Sequence, residues 1–265
     1  DHLYVASRYQ WGPLIPVISL FKYDGTDWKE EGKVEVDNSH DLRDLKISKD
    51  NVVYILSSTE GFYQDTKTKV RTYNGTWEEI VGAESIANGQ KLAISNDGTL
   101  YLTSISYEDG KSNLNVYEYV NNEWSKIGTW KNVELNSGNN IAISPDNKPY
   151  VAFTTNSNLV VMKYDGVKWE SVGNTGSLVS QYGAINLVFD NIGALTISYN
   201  DARNDARATL IKYEGGWSSI SNPGFTSTEA HAIQHVIDSD GNIYVVYAEE
   251  MNGGKLHIMK YDPQL

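Results

Sequence analysis

Leu92-Ala-Ile-Ser-Asn-Asp-Gly-Thr-Leu-Tyr101 has two near-copies in the chain, Leu45-Lys-Ile-Ser-Lys-Asp-Asn-Val-Val-Tyr54 and Ile141-Ala-Ile-Ser-Pro-Asp-Asn-Lys-Pro-Tyr150. Weaker copies follow at Leu187–Thr196 and His235–Tyr244. Two more landmarks keep step with them. An apolar run ends in Tyr at Tyr23, Tyr73, Tyr119, Tyr164, Tyr213 and Tyr261, and a Trp follows a short turn at Trp28, Trp77, Trp124, Trp169 and Trp217. The Trp-to-Trp spacing averages about 47 residues, a period that belongs to repeat architectures.

Each period reads as four short strands, here lettered a to d. The Leu-Ala-Ile-Ser segment is strand a, and an Asp-Gly or Asp-Asn turn leads into strand b, as at Leu100-Tyr-Leu-Thr-Ser104. Strand c is of the Asn115-Val-Tyr-Glu-Tyr119 type, and a second tight turn leads into the Trp-bearing strand d. Alternation is period two, the residues are β-branched or aromatic, and the turn dipeptides favour tight reversals. A four-stranded meander cannot bury both of its faces alone, whereas similar meanders packed radially can. The expected fold is therefore all-β, a β-propeller of four-stranded antiparallel blades, forming one domain over residues 1–265. A β-sandwich fits such a repeat much less well.

The pieces number six b–c hairpins but five a strands and five d strands. Six full periods would need about 282 residues, more than the 265 present. Six blades are expected, the first lacking its inner strand a and the last its strand d, with residues upstream of Asp1 supplying the missing piece. The alternative is five blades closed by the last a strand, which leaves Ile243–Tyr261 unemployed.

Composition narrows the function. Lys+Arg 22 against Asp+Glu 34 gives a formal net charge of −12, which argues against nucleic acid or an anionic membrane surface as a partner. No apolar run approaches the roughly 20 residues needed to cross a bilayer, so no membrane insertion by this chain is expected. With no Cys there are no disulfides or thiolate sites. No cofactor or metal is expected. Asp238, Asp240, Asn242 and Glu249 match some spacings of a calcium loop, but Ile243 sits where that loop requires Gly; turn chemistry accounts for these residues. Nucleophile-elbow, zinc-helix and phosphate-loop motifs are missing, and a clamp of three arginines could come only from Arg8, Arg43 and Arg203. The repeated Trp reads as packing between blades.

In such a fold the a–b and c–d turns share one face, and the b–c and d–a connections share the other. The second set reads as longer and more varied, which is where binding residues collect. The candidate ligand-binding residues are Arg8, Tyr9, Trp11, His40, Asp41, Tyr63, Gln90, Tyr107, Asn139, Tyr182, Arg203, Glu229 and His231. Rings cover sugar faces, while planar amides and carboxylates take paired hydroxyls. The mixture suits a protein surface nearly as well.

Segments such as Met162-Lys-Tyr-Asp-Gly-Val-Lys-Trp-Glu-Ser-Val-Gly173 and Ser221-Asn-Pro-Gly-Phe225 resemble the repeats of bacterial secreted or cell-surface β-propellers. The resemblance spans the chain and implies an exported protein, extracellular, cell-surface or periplasmic, with glycan-, protein- or surface-binding roles; it carries over no catalytic residue. The signatures of WD40 and kelch repeats are not present. The expectation is a non-catalytic extracellular binding propeller whose partner is a glycan or a surface protein. One alternative is a glycoside hydrolase or lyase using Asp41, Glu229 or Asp205, which would need two carboxyls about 5–10 Å apart. Another is a structural module of a larger surface protein. Oligomeric state is not legible.

Overall fold

A computed structural model describes residues 3–9, 15–37, 40–59, 67–134, 138–181, 183–249 and 254–261. They form 22 strands and two single-turn 3-10 helices, Ala83–Ser85 and Ala202–Asn204. The chain divides into two compact units, Asp1–Trp130 and Lys131–Leu265.

The first unit holds three antiparallel sheets. Blade 1 is β1 (Leu3–Tyr9), β2 (Val17–Tyr23) and β3 (Trp28–Glu35). Blade 2 is β4 (His40–Ile47), β5 (Val53–Thr59), β6 (Thr68–Tyr73) and β7 (Trp77–Ile80). Blade 3 is β8 (Gly89–Ile94), β9 (Leu100–Glu108), β10 (Lys111–Val120) and β11 (Glu123–Lys131). The second unit repeats the pattern. Blade 4 is β12 (Asn140–Ile143), β13 (Pro149–Thr155), β14 (Asn158–Tyr164) and β15 (Trp169–Ser171). Blade 5 is β16 (Ile185–Phe189), β17 (Leu195–Asp201), β18 (Arg207–Tyr213) and β19 (Trp217–Ser219). Blade 6 is β20 (His231–Ile237), β21 (Ile243–Ala248) and β22 (Leu256–Tyr261).

Every sheet is a meander paired in chain order, so the fold is all-β with six propeller blades of four or three strands. Among the described residues blade 1 has no a strand and blade 6 no d strand, as the repeat arithmetic requires. The five-blade alternative fails because β20 pairs with β21 in a sheet of its own, and Ile243–Tyr261 forms the rest of that sheet.

The a–b turns, residues 48–52, 95–99, 144–148, 190–194 and 238–242, are all of one length. Their fourth positions, Asn51, Gly98, Asn147, Gly193 and Gly241, all have positive φ, which is why only Asn and Gly occur there. The turn's first residue organises it. Asp190 Oδ1 accepts from the N–H groups of Ile192 and Ala194 at 3.1 and 2.8 Å, and Asp238 Oδ1 accepts from Asp240 and Asn242 at 3.0 and 2.8 Å. These turns need no ion to hold them. Among the described residues no group of His, Cys, Asp and Glu could hold a metal, and no helix is long and apolar enough to cross a membrane.

The core lies between blades rather than within them. Ile18, Leu20 and Val36 of blade 1 cluster with Val53 and Ile55 of blade 2. Leu159, Val161 and Val179 of blade 4 cluster with Ile185, Leu195 and Ile197 of blade 5. Trp77, Trp124 and Trp217 sit at such junctions, and each of the five repeated Trp lies against the Tyr that ends the preceding strand. The five Tyr–Trp ring centroids are 4.9–5.3 Å apart, worth about 0.5–1.5 kcal/mol each beyond area burial. The indoles also reach the preceding blade. A Cβ on Gly32 would lie 2.6 Å from Tyr73 Cε2 and 3.0 Å from Trp77 Nε1, and one on Gly82 would lie 3.4 Å from Trp124 Cδ1. Trp217 Nε1 donates to the carbonyl of Val172 at 2.6 Å. Gly32, Gly82 and Gly173 are thus the seats of the next blade's Trp.

Inner strands of neighbouring blades are also tied by side chains. Asp44 Oδ2 accepts from Leu92 N–H at 2.9 Å, and Asn186 Oδ1 accepts from His235 N–H at 2.8 Å. His235 occupies the position that is Leu45, Leu92 and Leu187 in other blades. Its ring is buried, with Nδ1 2.9 Å from Ser198 Oγ, and burial lowers its pKa from 6.5 to about 3.

Two predictions follow from this packing. Gly32→Ala should lower unfolding free energy in urea by about 1–3 kcal/mol, whereas Gly216→Ala, where a Cβ meets nothing within 4 Å, should change it by less than about 0.5 kcal/mol. Equal effects would mean that the seat is not tight. For His235, the unfolded chain takes up a proton below about pH 6.5 that the folded chain refuses until about pH 3. Stability should therefore fall with pH across that window, by about 1.4 kcal/mol per unit for one proton. His235→Leu should flatten the stability–pH curve between pH 6 and 4.5 by about that slope; an unchanged slope would contradict burial of the neutral ring.

Candidate functional site

The b–c connection of blade 5, Asp201-Ala-Arg-Asn-Asp-Ala-Arg207, is shaped by its first residue. Strand β17 ends at Asp201, whose carboxylate caps the 3-10 turn Ala202–Asn204 by accepting from Arg203 N–H at 3.0 Å. Its Oδ2 accepts from Asn204 Nδ2 at 2.9 Å, from Thr209 Oγ1 at 3.1 Å and from Tyr199 OH at 3.5 Å. Asp205 and Ala206 close the loop with φ of 53° and 55°. Asn200 anchors it from beneath, donating to the carbonyls of Ala206 and Ala230 and accepting from Ala184 N–H at 2.6 Å.

Between this loop and the strand-d side of blade 4 lies a cavity of about 240 Å³. Thr175 and Ser177 line it from blade 4; Tyr199, Asp201, Arg203, Thr209 and Trp217 line it from blade 5. Arg203 is exposed, and one Nη1 donates to Gly176 O at 2.7 Å. A guanidinium has five N–H donors, so this bond fixes the group while leaving donors for a ligand. The Tyr199 phenol hydrogen-bonds with Ser177, and burial pushes its pKa up to about 12, so it stays neutral. Asp201 is 4% exposed and holds four donors. It organises the site and is not free to act as a nucleophile or base.

The residues expected from sequence are dispersed. Trp11, Tyr63 and Tyr182 lie outside the described residues. In the first unit Arg8 Nε donates to the His40 carbonyl at 2.6 Å and lies 3.6 Å from Asp41, which brings three of the candidates together. The His40 ring is 1% exposed, so it faces the interior, and burial lowers its pKa. Gln90 is turned onto Asn88 at 2.7 Å. Tyr107 is half-buried and bonded to Ser112, and Tyr9 bonds to Lys33. In the second unit Glu229 lies 3.7 Å from His231, and Asn139 is half-buried. Among the described candidates only Arg203 lines the cavity. Of the enzyme alternative's carboxylates, Asp41 is in the first unit and Glu229 and Asp205 are in the second.

Not all b–c connections are long. Blades 3 and 4 turn on two residues, Asp109-Gly110 and Asn156-Ser157, all four with positive φ, so strand pairing continues to the tip. Tyr199, Asp201, Thr209 and Trp217 were missed by sequence reasoning. An Asp two residues before Arg at a strand end is a capping signal that could have flagged Asp201. Trp217 does what the repeat assigns it and also forms a wall of the cavity.

No protein-family model matches the sequence, and no curated protein matches it. Solved structures resemble it in fold. Aleuria aurantia lectin, described as a six-bladed β-propeller with a novel fucose recognition mode, is 12% identical with a TM-score of 0.56, covering 99% of this chain and 96% of its own. SapL1 lectin in complex with α-methyl fucoside is 13% identical with a TM-score of 0.62, covering 94% and 89%. A protein of unknown function from Dyadobacter fermentans is 9% identical with a TM-score of 0.58, covering 86% and 80%. The fold is that of a six-bladed β-propeller.

Proposed function

We propose that this chain is a non-catalytic carbohydrate-binding propeller that takes its ligand in the cavity between blades 4 and 5. One observation carries the reading: Arg203, with spare N–H donors, lines one cavity with the Trp217 indole and the neutral Tyr199 phenol, while the acid of the site is consumed in holding the loop. A sugar offers what such a wall lacks, namely ring and hydroxyl oxygens to accept from Arg203 and an apolar face for the rings. Several solved propellers of similar fold are lectins, two of them described with fucose or a fucoside, which supports the same reading. An extracellular location, where glycans are displayed, goes with it.

A glycan array followed by calorimetry on the bound sugars tests this. Arg203→Ala should weaken binding about 10- to 100-fold, the range for a hydrogen bond to a charged donor. Failure of the wild-type chain to bind any glycan, or an unchanged affinity in the variant, would overturn the reading.

A further inference from the structure

The constellation of blade 5 recurs one blade on with altered chemistry. Tyr199 lies opposite Thr209 in the β17–β18 ladder, and Tyr247 lies opposite His257 in the β21–β22 ladder. Asp201 is two residues after the first Tyr, and Glu249 is two residues after the second. Each phenol hydrogen-bonds to a Ser of the preceding blade's d–a segment, Ser177 for Tyr199 and Ser227 for Tyr247, and burial raises both pKa values.

The differences decide what the second set can do. The Tyr247 and His257 rings are stacked, with centroids 5.0 Å apart and planes at 13°. Glu249 Oε1 is 3.0 Å from His257 Nε2, and the Glu249 side chain is 27% exposed. Where Asp201 is spent on four donors, Glu249 only approaches one ring nitrogen, and the His257 Nε2 it faces makes no hydrogen bond. Among the described residues its Oε2 has no hydrogen-bond partner. A longer acid, about a quarter exposed and beside a flat imidazole, keeps acceptor capacity for further donors, and a carboxylate oxygen accepts well from a hydroxyl.

We propose that blade 6 carries a second carbohydrate subsite, made by Tyr247, Glu249 and His257, which accepts hydrogen bonds from sugar hydroxyls where the Arg203 cavity donates them. It takes a neutral sugar edge-on to the carboxylate, with an apolar patch of the ring against His257. The inference rests on the carbohydrate reading above but adds a separate site of opposite hydrogen-bonding sense.

The test is stoichiometry. Methyl glycosides of fucose, galactose, mannose and glucose are titrated singly into the full chain by calorimetry, with native mass spectrometry counting bound ligands. For at least one glycoside the wild type should bind two per chain, Glu249→Ala one, and Arg203→Ala one. The remaining site in Glu249→Ala should keep the wild-type affinity of the Arg203 cavity, which also shows that the variant is folded. Glu249→Gln, which keeps one acceptor oxygen and loses the charge, should weaken the second site about tenfold. Two ligands retained in Glu249→Ala, a single ligand on the wild type, or loss of all binding in Arg203→Ala would overturn the second site. No binding of any glycoside to the wild type would overturn the carbohydrate reading itself and this proposal with it.

Discussion

Blades 1 and 2, 2 and 3, and 4 and 5 are held together at a rim where an indole of one blade lies against a glycine of the blade before it. Among the described residues no layer of helices covers the sheets, so their apolar faces are covered by the next sheet. Sheets packed face to face must meet closely where the strands are crowded, and the Trp that opens strand d closes the rim of that contact. Gly32 under Tyr73 and Trp77 shows how little room is left. The ring pairs with Tyr hold each indole, and Trp217 is further fixed by its bond to Val172. The repeat in the sequence is the record of this one contact made again and again.

That explains why so much of the fold was legible. Asn and Gly at position four of each a–b turn, Tyr at the end of c, Trp at the start of d and Gly after it are all set by local backbone geometry or by one neighbour. None depends on what the protein binds. Even the strand count could be read, because each strand type carries its own landmark. His235 is an exception inside the pattern: the register places it with Leu45, Leu92 and Leu187, and only the structure shows its ring meeting Ser198 in the core.

The site was far less legible, for a physical reason. Its wall comes from side chains the repeat already explains, Trp217 and the c-strand position of Thr209, and from Tyr199, which alternates with core residues on β17. Periodicity marks such residues as structural, yet a junction between two sheets is both the core and the place where a cleft can open. Loop composition singled out Arg203, which lines the cavity. It also singled out His40, whose ring the fold turns inward, and Tyr107, which strand pairing carries up to a two-residue tip. Asp201 illustrates the opposite trap: a carboxylate in a cleft invites a catalytic role until its four donors are counted.

The account's central claim is that the junction between blades 4 and 5 is where ligand meets protein. The most direct measurement is a ¹⁵N-resolved NMR titration that follows the Trp217 Nε1–H and Arg203 Nε–H signals, using the highest-affinity sugar found on the array. The account predicts saturable shifts of both signals at one common dissociation constant, with the a–b turn amides at Gly98 and Gly241 unmoved. Shifts confined to those turns, or a bound sugar that leaves both side-chain signals in place, would contradict it.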